Sequence, residues 1–363
     1  MATTNYAVPP GAFLEEWLDD EAMTQGEAAA RLGCSRKQIN EIVNGRAPVT
    51  ADTASRLARL TSVPTDAWLR YEALYRADLA RIRDEETLAQ YVDAIHPGAA
   101  SYLREVGATR ATRRRPGELV SDFLAFHRCG TWEAYEQLQH TESSGDYALA
   151  ALTESRADLD PTLLSTWVRA GELDERFELG RRGDYDEREL RALLPELRER
   201  TARPDQKLLA DVGQILRRAG VVFMLISPPR GLPLYGVTRW IDKQVPIIQQ
   251  SGRRQHDGFV IWTLFHEIGH VLNDPRGELH VEYSTKKMRT SVAERSANQF
   301  ALDTLFGPEG LAPFSDLRYD REIRDTAARI GVAPGVAVQQ MHRNRILDYS
   351  RGNRLFVDVG TAE

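Results

Sequence analysis

Cysteine is scarce in this chain. Its two cysteines, Cys34 and Cys129, lie far apart. That spacing excludes a cysteine-based metal module, and Cys34 is expected to be simply buried. No run of eighteen apolar residues occurs, which excludes an ordinary membrane-spanning helix. No basic-then-apolar leader opens the chain, so the expected compartment is the cytoplasm. Charge of one sign is also lacking: 47 Lys and Arg stand against 53 Asp and Glu, a net of −6, too mild to point to a partner. No internal repeat is present. What remains, 42% hydrophobic and 28% charged residues over 363 positions, is the composition of a soluble protein of two or three domains.

The most informative stretch is Trp262-Thr263-Leu264-Phe265-His266-Glu267-Ile268-Gly269-His270-Val271-Leu272. Two histidines four residues apart on a helix point the same way, because i and i+4 share a face. Two neutral imidazoles on one face can hold Zn²⁺. Glu267 would then stand beside the metal, placed to take a proton from water. The competing reading is a core helix with two hydrogen-bonded histidines. A tetrahedral catalytic zinc needs a third protein ligand, and the next helical stretch offers one. In Ser291–Leu302, residues Val292, Ala293, Ala297, Phe300 and Ala301 form an apolar face at helical spacing. Glu294 sits beside that face, costly there unless paired or bound to metal. Asn298 follows on the same side. Its side-chain oxygen is expected to accept the second ring N–H of a ligand histidine.

The pair His266-Glu267-Ile268-Gly269-His270 and Glu294-Arg295-Ser296-Ala297-Asn298-Gln299-Phe300-Ala301 resembles the ImmA/IrrE-type zinc metallopeptidases. Similar motifs appear in order at Tyr235–Trp240, Pro246–Gln249, Gly331–Val338 and Tyr349–Leu355, so the resemblance covers roughly residues 190 to 363. It implies a zinc site of His266, His270 and Glu294, with Glu267 as general base and a regulatory protein, typically a repressor, as substrate. Two departures stand out. Leu272-Asn273-Asp274 replaces the Leu-Leu-His often found after the second ligand. The segment Ser284-Thr285-Lys286-Lys287-Met288-Arg289 is basic where relatives are usually acidic. A nucleic-acid trigger such as single-stranded DNA is one use for such a segment; a solvated loop is the commoner one. Candidate donors to the oxyanion of a peptidase are His280, Tyr283 and His342. Strands at 235–241 and 245–250 are expected to form a hairpin, and a substrate can bind along a sheet edge as an added strand.

The other end of the chain carries a second pattern. Thr24 and Glu27 form a capping box before Ala28-Ala29-Ala30-Arg31-Leu32, and Gly33 supplies a turn. Ser35 caps the next helix and Gly45 ends it. Leu32, Ile39, Ile42 and Val43 are expected in the core. Ser35, Arg36, Lys37, Gln38 and Asn40 lie early in that helix, where a recognition helix presents its base-reading side chains. Over roughly residues 1 to 85 the chain resembles an XRE-type helix-turn-helix of the HigA antitoxin subgroup. Residues 1–80 hold 8 Arg and Lys against 11 Asp and Glu, so any DNA-binding face must be local or doubled in a homodimer.

Between these ends, helices are expected at 87–95, 99–106, 117–128, 131–139, 146–156 and 161–169, without a chemical constellation. The expected fold is mainly α with a small α+β part. It divides into a helix-turn-helix domain at 1–85, a helical middle at 86–185 and a zincin-like metallopeptidase domain with a small mixed sheet at 186–363. The leading expectation is a zinc endopeptidase fused to a DNA-binding regulator. Its rival is a DNA-binding, antitoxin-like regulator whose peptidase-like domain only senses a ligand.

Overall fold

The computed structural model describes residues 6–139, 159–181, 183–252, 255–276, 280–283 and 292–360. The chain divides into two compact units. One comprises Met1–Val92 with Ala111–Ser121, the other Asp93–Arg110 with Asp122–Glu363. The 86–185 segment is thus shared between them. The helix expected at 146–156 lies outside the described residues.

The first unit is built on helices α1 (Pro10–Asp20), α2 (Gln25–Leu32), α3 (Arg36–Val43), α4 (Ala51–Thr61) and α5 (Thr65–Leu88). The caps read from the sequence form as expected. Thr24 Oγ1 accepts from Glu27 N at 3.2 Å, and Glu27 Oε2 accepts from Thr24 N at 2.9 Å. Gly33 ends α2 at φ 64°, a left-handed conformation that glycine adopts without steric cost. Ser35 Oγ accepts from Gln38 N at 3.1 Å and starts α3. Leu14, Leu18, Ala28, Leu32, Ile39, Ile42, Val43, Leu57 and Trp68 then share one core. Gly11 lets α1 press against the end of α3, because a Cβ there would meet the Ile42 carbonyl. Cys34, expected buried, is half-buried.

The second unit contains helices α6 (Pro97–Glu105), α8 (Trp132–Gln139), α9 (Pro161–Glu172), α10 (Glu175–Gly180), α11 (Glu187–Thr201) and α12 (Leu208–Arg218). Helix α7 (Pro116–His127) straddles the boundary between the units. Strands β1 (Val222–Leu225), β2 (Leu234–Ile241), β3 (Val245–Gln250) and β4 (His280–Tyr283) form one sheet in the order β1-β3-β2-β4. The sheet is mixed: β1 runs parallel to β3, while β2 runs antiparallel to both β3 and β4. The β2–β3 turn places Asp242 and Lys243 at positive φ, the conformation that matches a hairpin's twist. Helices α13 (Asp257–Asn273), α14 (Val292–Phe306), α15 (Asp320–Ile330) and α16 (Pro334–Arg343) complete the unit.

Strand alternation gives each face of the sheet a different job. Val237, Arg239, Ile247 and Gln249 face α9 and α10. There Gln249 donates to the Trp167 carbonyl at 2.8 Å, and Phe177 packs with Val222, Met224 and Ile247. The other face carries Thr238, Trp240 and Ile248 toward α13. Helix α13 is apolar on nearly every side and buried from Val260 through Leu272, the mark of a central helix. Among the described residues, no helix is long and apolar enough to cross a membrane.

Candidate functional site

Helix α13 buries His266, Glu267 and His270 almost completely, at 1%, 0% and 1% exposure. Ionisable side chains in such a core are costly unless they find partners. They find them on α14 and β2. Gly269 and Ala297 are the reason α14 comes close enough. A Cβ on Gly269 would stand 3.0 Å from Ala297 Cα and 3.1 Å from Phe300 Cδ1. Small residues at that crossing bring Glu294 over the two imidazoles. Val292, expected on the apolar face of α14, is instead 74% exposed.

The three side chains converge. His266 Nε2 and His270 Nε2 are 3.1 Å apart; Glu294 Oε2 is 3.4 Å from the first and Glu294 Oε1 is 3.6 Å from the second. Ligands at ~2.1 Å from one tetrahedral metal are separated by ~3.4 Å. The donor set therefore fits a zinc ion in both element and spacing. The electrostatics agree. Burial pushes the Glu294 carboxyl up, but hydrogen bonds and attraction from His266 and His270 outweigh it and hold it well below the carboxylate range. For His270, burial pulls down while Glu294, Glu267 and Asp274 pull up, and the balance is raised. The site is a concentration of negative charge that favours a cation, whether a proton or a metal.

Glu267 faces the sheet. Thr238 Oγ1 donates to its Oε2 at 2.5 Å. Gly236, two residues back on the same face of β2, leaves room for the carboxylate: a Cβ there would lie 2.7 Å from Glu267 Oε1. Neither residue was singled out from the sequence by role. The available signal was the period of two that puts Gly236 and Thr238 on one face of a strand.

The expected partner of a ligand histidine is corrected. Asn298 does not accept a ring N–H. Its Nδ2 folds back onto the Glu294 carbonyl at 2.6 Å, and its Oδ1 accepts no hydrogen bond among the described residues. A short amide on the same helix reaches its own backbone more easily than a ring across the interface. Asp274 takes the role, with Oδ2 2.5 Å from His270 Nδ1. A carboxylate there fixes the tautomer that leaves Nε2 free to face a metal. Asp274 lies four residues after His270, so the spacing that paired the histidines also pointed to it.

The proposed oxyanion donors are placed as follows. His280 stacks on His270 and lies 3.4 Å from Asp274 Oδ2; burial pushes its pKa down to about 4. His342 Nε2 is 2.8 Å from the Arg351 carbonyl, and the ring is buried beside Tyr349. The side chain of Tyr283 and the basic segment 284–289 lie outside the described residues.

In the first unit, Ser35, Arg36, Lys37, Gln38 and Asn40 are all exposed along the start of α3. Lys37 is loosely paired with Glu41 at 3.8 Å, and Arg46 donates to Asn40 Oδ1 at 3.1 Å. Ser35 is engaged as the cap. A continuous polar edge is thus presented by a helix whose opposite side is buried.

Comparison with known proteins bears on this part of the chain. Residues 14–68 match the family described as Helix-turn-helix. Virulence-associated protein I of Dichelobacter nodosus is 34% identical over 83 residues, 23% of this chain and 76% of that protein. The solved structure of an addiction module antidote protein of a HigA family from Coxiella burnetii is similar at 28% identity, with a TM-score of 0.22. That match covers 24% of this chain and 95% of the other.

Proposed function

The chain belongs to the helix-turn-helix family through residues 14–68, and we propose that it joins this DNA-binding, regulatory module to a zinc endopeptidase. The observation that carries the enzyme reading is the convergence of His266, His270 and Glu294 beside a carboxylate, Glu267, that none of them needs for binding. Zinc held by that set supplies Lewis-acid chemistry, polarising a peptide carbonyl and acidifying water. The protein's own side chains supply the rest. Glu267, oriented by Thr238, takes a proton from the attacking water and passes it to the nitrogen of the leaving amine. Asp274 keeps His270 in the required tautomer. His342 is committed to the Arg351 carbonyl, which argues against it as an oxyanion donor.

The resemblance to ImmA/IrrE-type peptidases makes a regulatory protein, specifically a repressor, the proposed substrate, cut in response to stress or DNA damage. The helix-turn-helix module would bring the peptidase to DNA or to a repressor of like architecture, and a nucleic acid such as single-stranded DNA would serve as trigger. The second reading is a regulator that senses without cutting. Glu267 weighs against it, because a sensor needs no general base. Metal analysis of the purified protein separates the two: about one zinc per chain is expected, and a metal-free protein with full regulatory activity would favour the sensor.

A further inference from the structure

We propose that His280 is a positioning residue of the metal centre, holding the His270 ring in place by stacking on its face. The inference rests on the zinc reading given above. His280 opens β4, the edge strand, and its backbone pairs with Thr238 of β2. That register puts two adjacent positions of the sheet to work on one site. Thr238 orients Glu267, and His280 reaches the helix end beyond His270.

The geometry defines the contact. The His280 and His270 rings are stacked, with centroids 4.0 Å apart and planes 7° from parallel. His280 Nε2 lies 3.4 Å from Asp274 Oδ2, the oxygen that meets His270 Nδ1 at 2.5 Å. The carboxylate oxygen thus meets the edge of the His270 ring, while His280 covers the face of that ring without a hydrogen bond from Nε2 to the oxygen. With His280 present, the His270 ring is confined on its face by the stacked ring and at its Nδ1 edge by Asp274. His270 has little freedom left to turn Nε2 away from His266 and Glu294.

A different use of the same residues is excluded by the stacking. His270, Asp274 and His280 are close enough to suggest a second metal site. A metal must lie near the plane of each imidazole that binds it, because the nitrogen lone pair is in the ring plane. Two stacked parallel planes do not meet, so His270 and His280 cannot share an ion there. A supporting role for His280 is consistent with its 9% exposure and with its ring covering that of a metal ligand.

The consequence is a link between the sheet edge and the metal. Because β4 restrains the His270 ring through His280, zinc binding and the docking of β4 on β2 must favour each other by the same factor. Zinc should then slow hydrogen exchange of the β4 amides in the wild type, and this protection should be lost in His280→Ala.

The test uses the full-length protein and zinc alone. Affinity is measured by competition with a chromophoric chelator, and the site is also read by the visible absorption of bound Co²⁺. Loss of an outer partner of a ligand histidine typically weakens metal binding 10- to 100-fold. Acting by ring stacking and not through a hydrogen bond to Asp274, His280→Ala is expected at the lower end, about 10-fold, with an altered Co²⁺ spectrum. His280→Phe keeps a stacking ring and should recover most of the affinity, whereas His280→Gln, which lacks the ring, should not. In an Asp274→Asn background, the loss from His280→Ala should not simply add, because the two residues restrain one ring. Thermal melts of the metal-free variants show whether the fold is kept. If His280→Ala proves unfolded, His280→Gln and its combination with Asp274→Asn decide. Wild-type zinc affinity in His280→Ala, or independent additive losses in the double variant, overturns the proposal. A wild-type protein that takes up no zinc overturns the metal reading itself, a distinguishable outcome.

Discussion

Replacing Gly269 with alanine should damage zinc binding more than it damages the fold. The new Cβ would stand 3.0 Å from Ala297 Cα and 3.3 Å from the Ala297 carbonyl oxygen. Phe300 can turn aside, but those backbone atoms cannot. Restoring ordinary carbon contacts of ~3.5–4.0 Å requires α13 and α14 to part by about half an ångström. Such overpacking costs about 1–3 kcal/mol, while exchanging glycine for alanine inside a helix returns about 1 kcal/mol. The metal-free protein should therefore lose only about 0–2 kcal/mol. Metal geometry is less forgiving, with ligand distances held within about 0.2 Å. Moving Glu294 away from His266 and His270 by more than that should lower zinc affinity at least about 10-fold, as outer-shell losses alone do. Denaturant unfolding of the metal-free protein and a chelator-competition titration give the two quantities separately. Zinc affinity within twofold of wild type would refute the argument that this helix crossing positions Glu294.

Other outcomes follow from the same geometry. Gly236→Ala should displace Glu267 while leaving the three metal ligands in place; cleavage should fall at least tenfold with zinc content unchanged, and loss of zinc would contradict it. His270 is raised above its ordinary 6.5 in the metal-free site, so its protonated form is favoured and competes with a cation. Zinc affinity should accordingly begin to fall above pH 6.5 as the solution is acidified; a flat titration from pH 8 to 6 would show the imidazole is not a ligand. On the DNA side, Lys37→Ala should weaken binding to random duplex and reduce the slope of log affinity against log salt by about 0.9 if Lys37 meets a phosphate. No binding of the wild type at low salt would remove DNA from the account.

The parts legible in the sequence are those set by local chemistry. Thr24, Glu27, Gly33 and Ser35 announced α2 and α3 because caps and left-handed glycines act within a few residues. The β2–β3 hairpin and the histidine pair were legible for the same reason. What escaped depends on contacts across elements. Thr238 touches Glu267 over a separation of 29 residues, and nothing in a strand pattern says which helix its face will meet. Asn298 was misassigned because helical spacing gives the side of a residue but not its reach. Asp274 was seen only as a departure from the related pattern, though it continues the four-residue stripe of His266 and His270. The middle region showed no chemistry in sequence and α10 was not expected there; α9 and α10 cover the back of the sheet through Trp167 and Phe177.

Glu267 is the residue proposed to make this centre cut a protein. The direct measurement compares the proteins of cells expressing the wild type with those of cells expressing Glu267→Gln at equal levels and equal zinc content. A fragment of a regulatory protein is expected with the wild type and should be absent with Glu267→Gln. Identical protein profiles under inducing stress, or the same fragment from both, would contradict it.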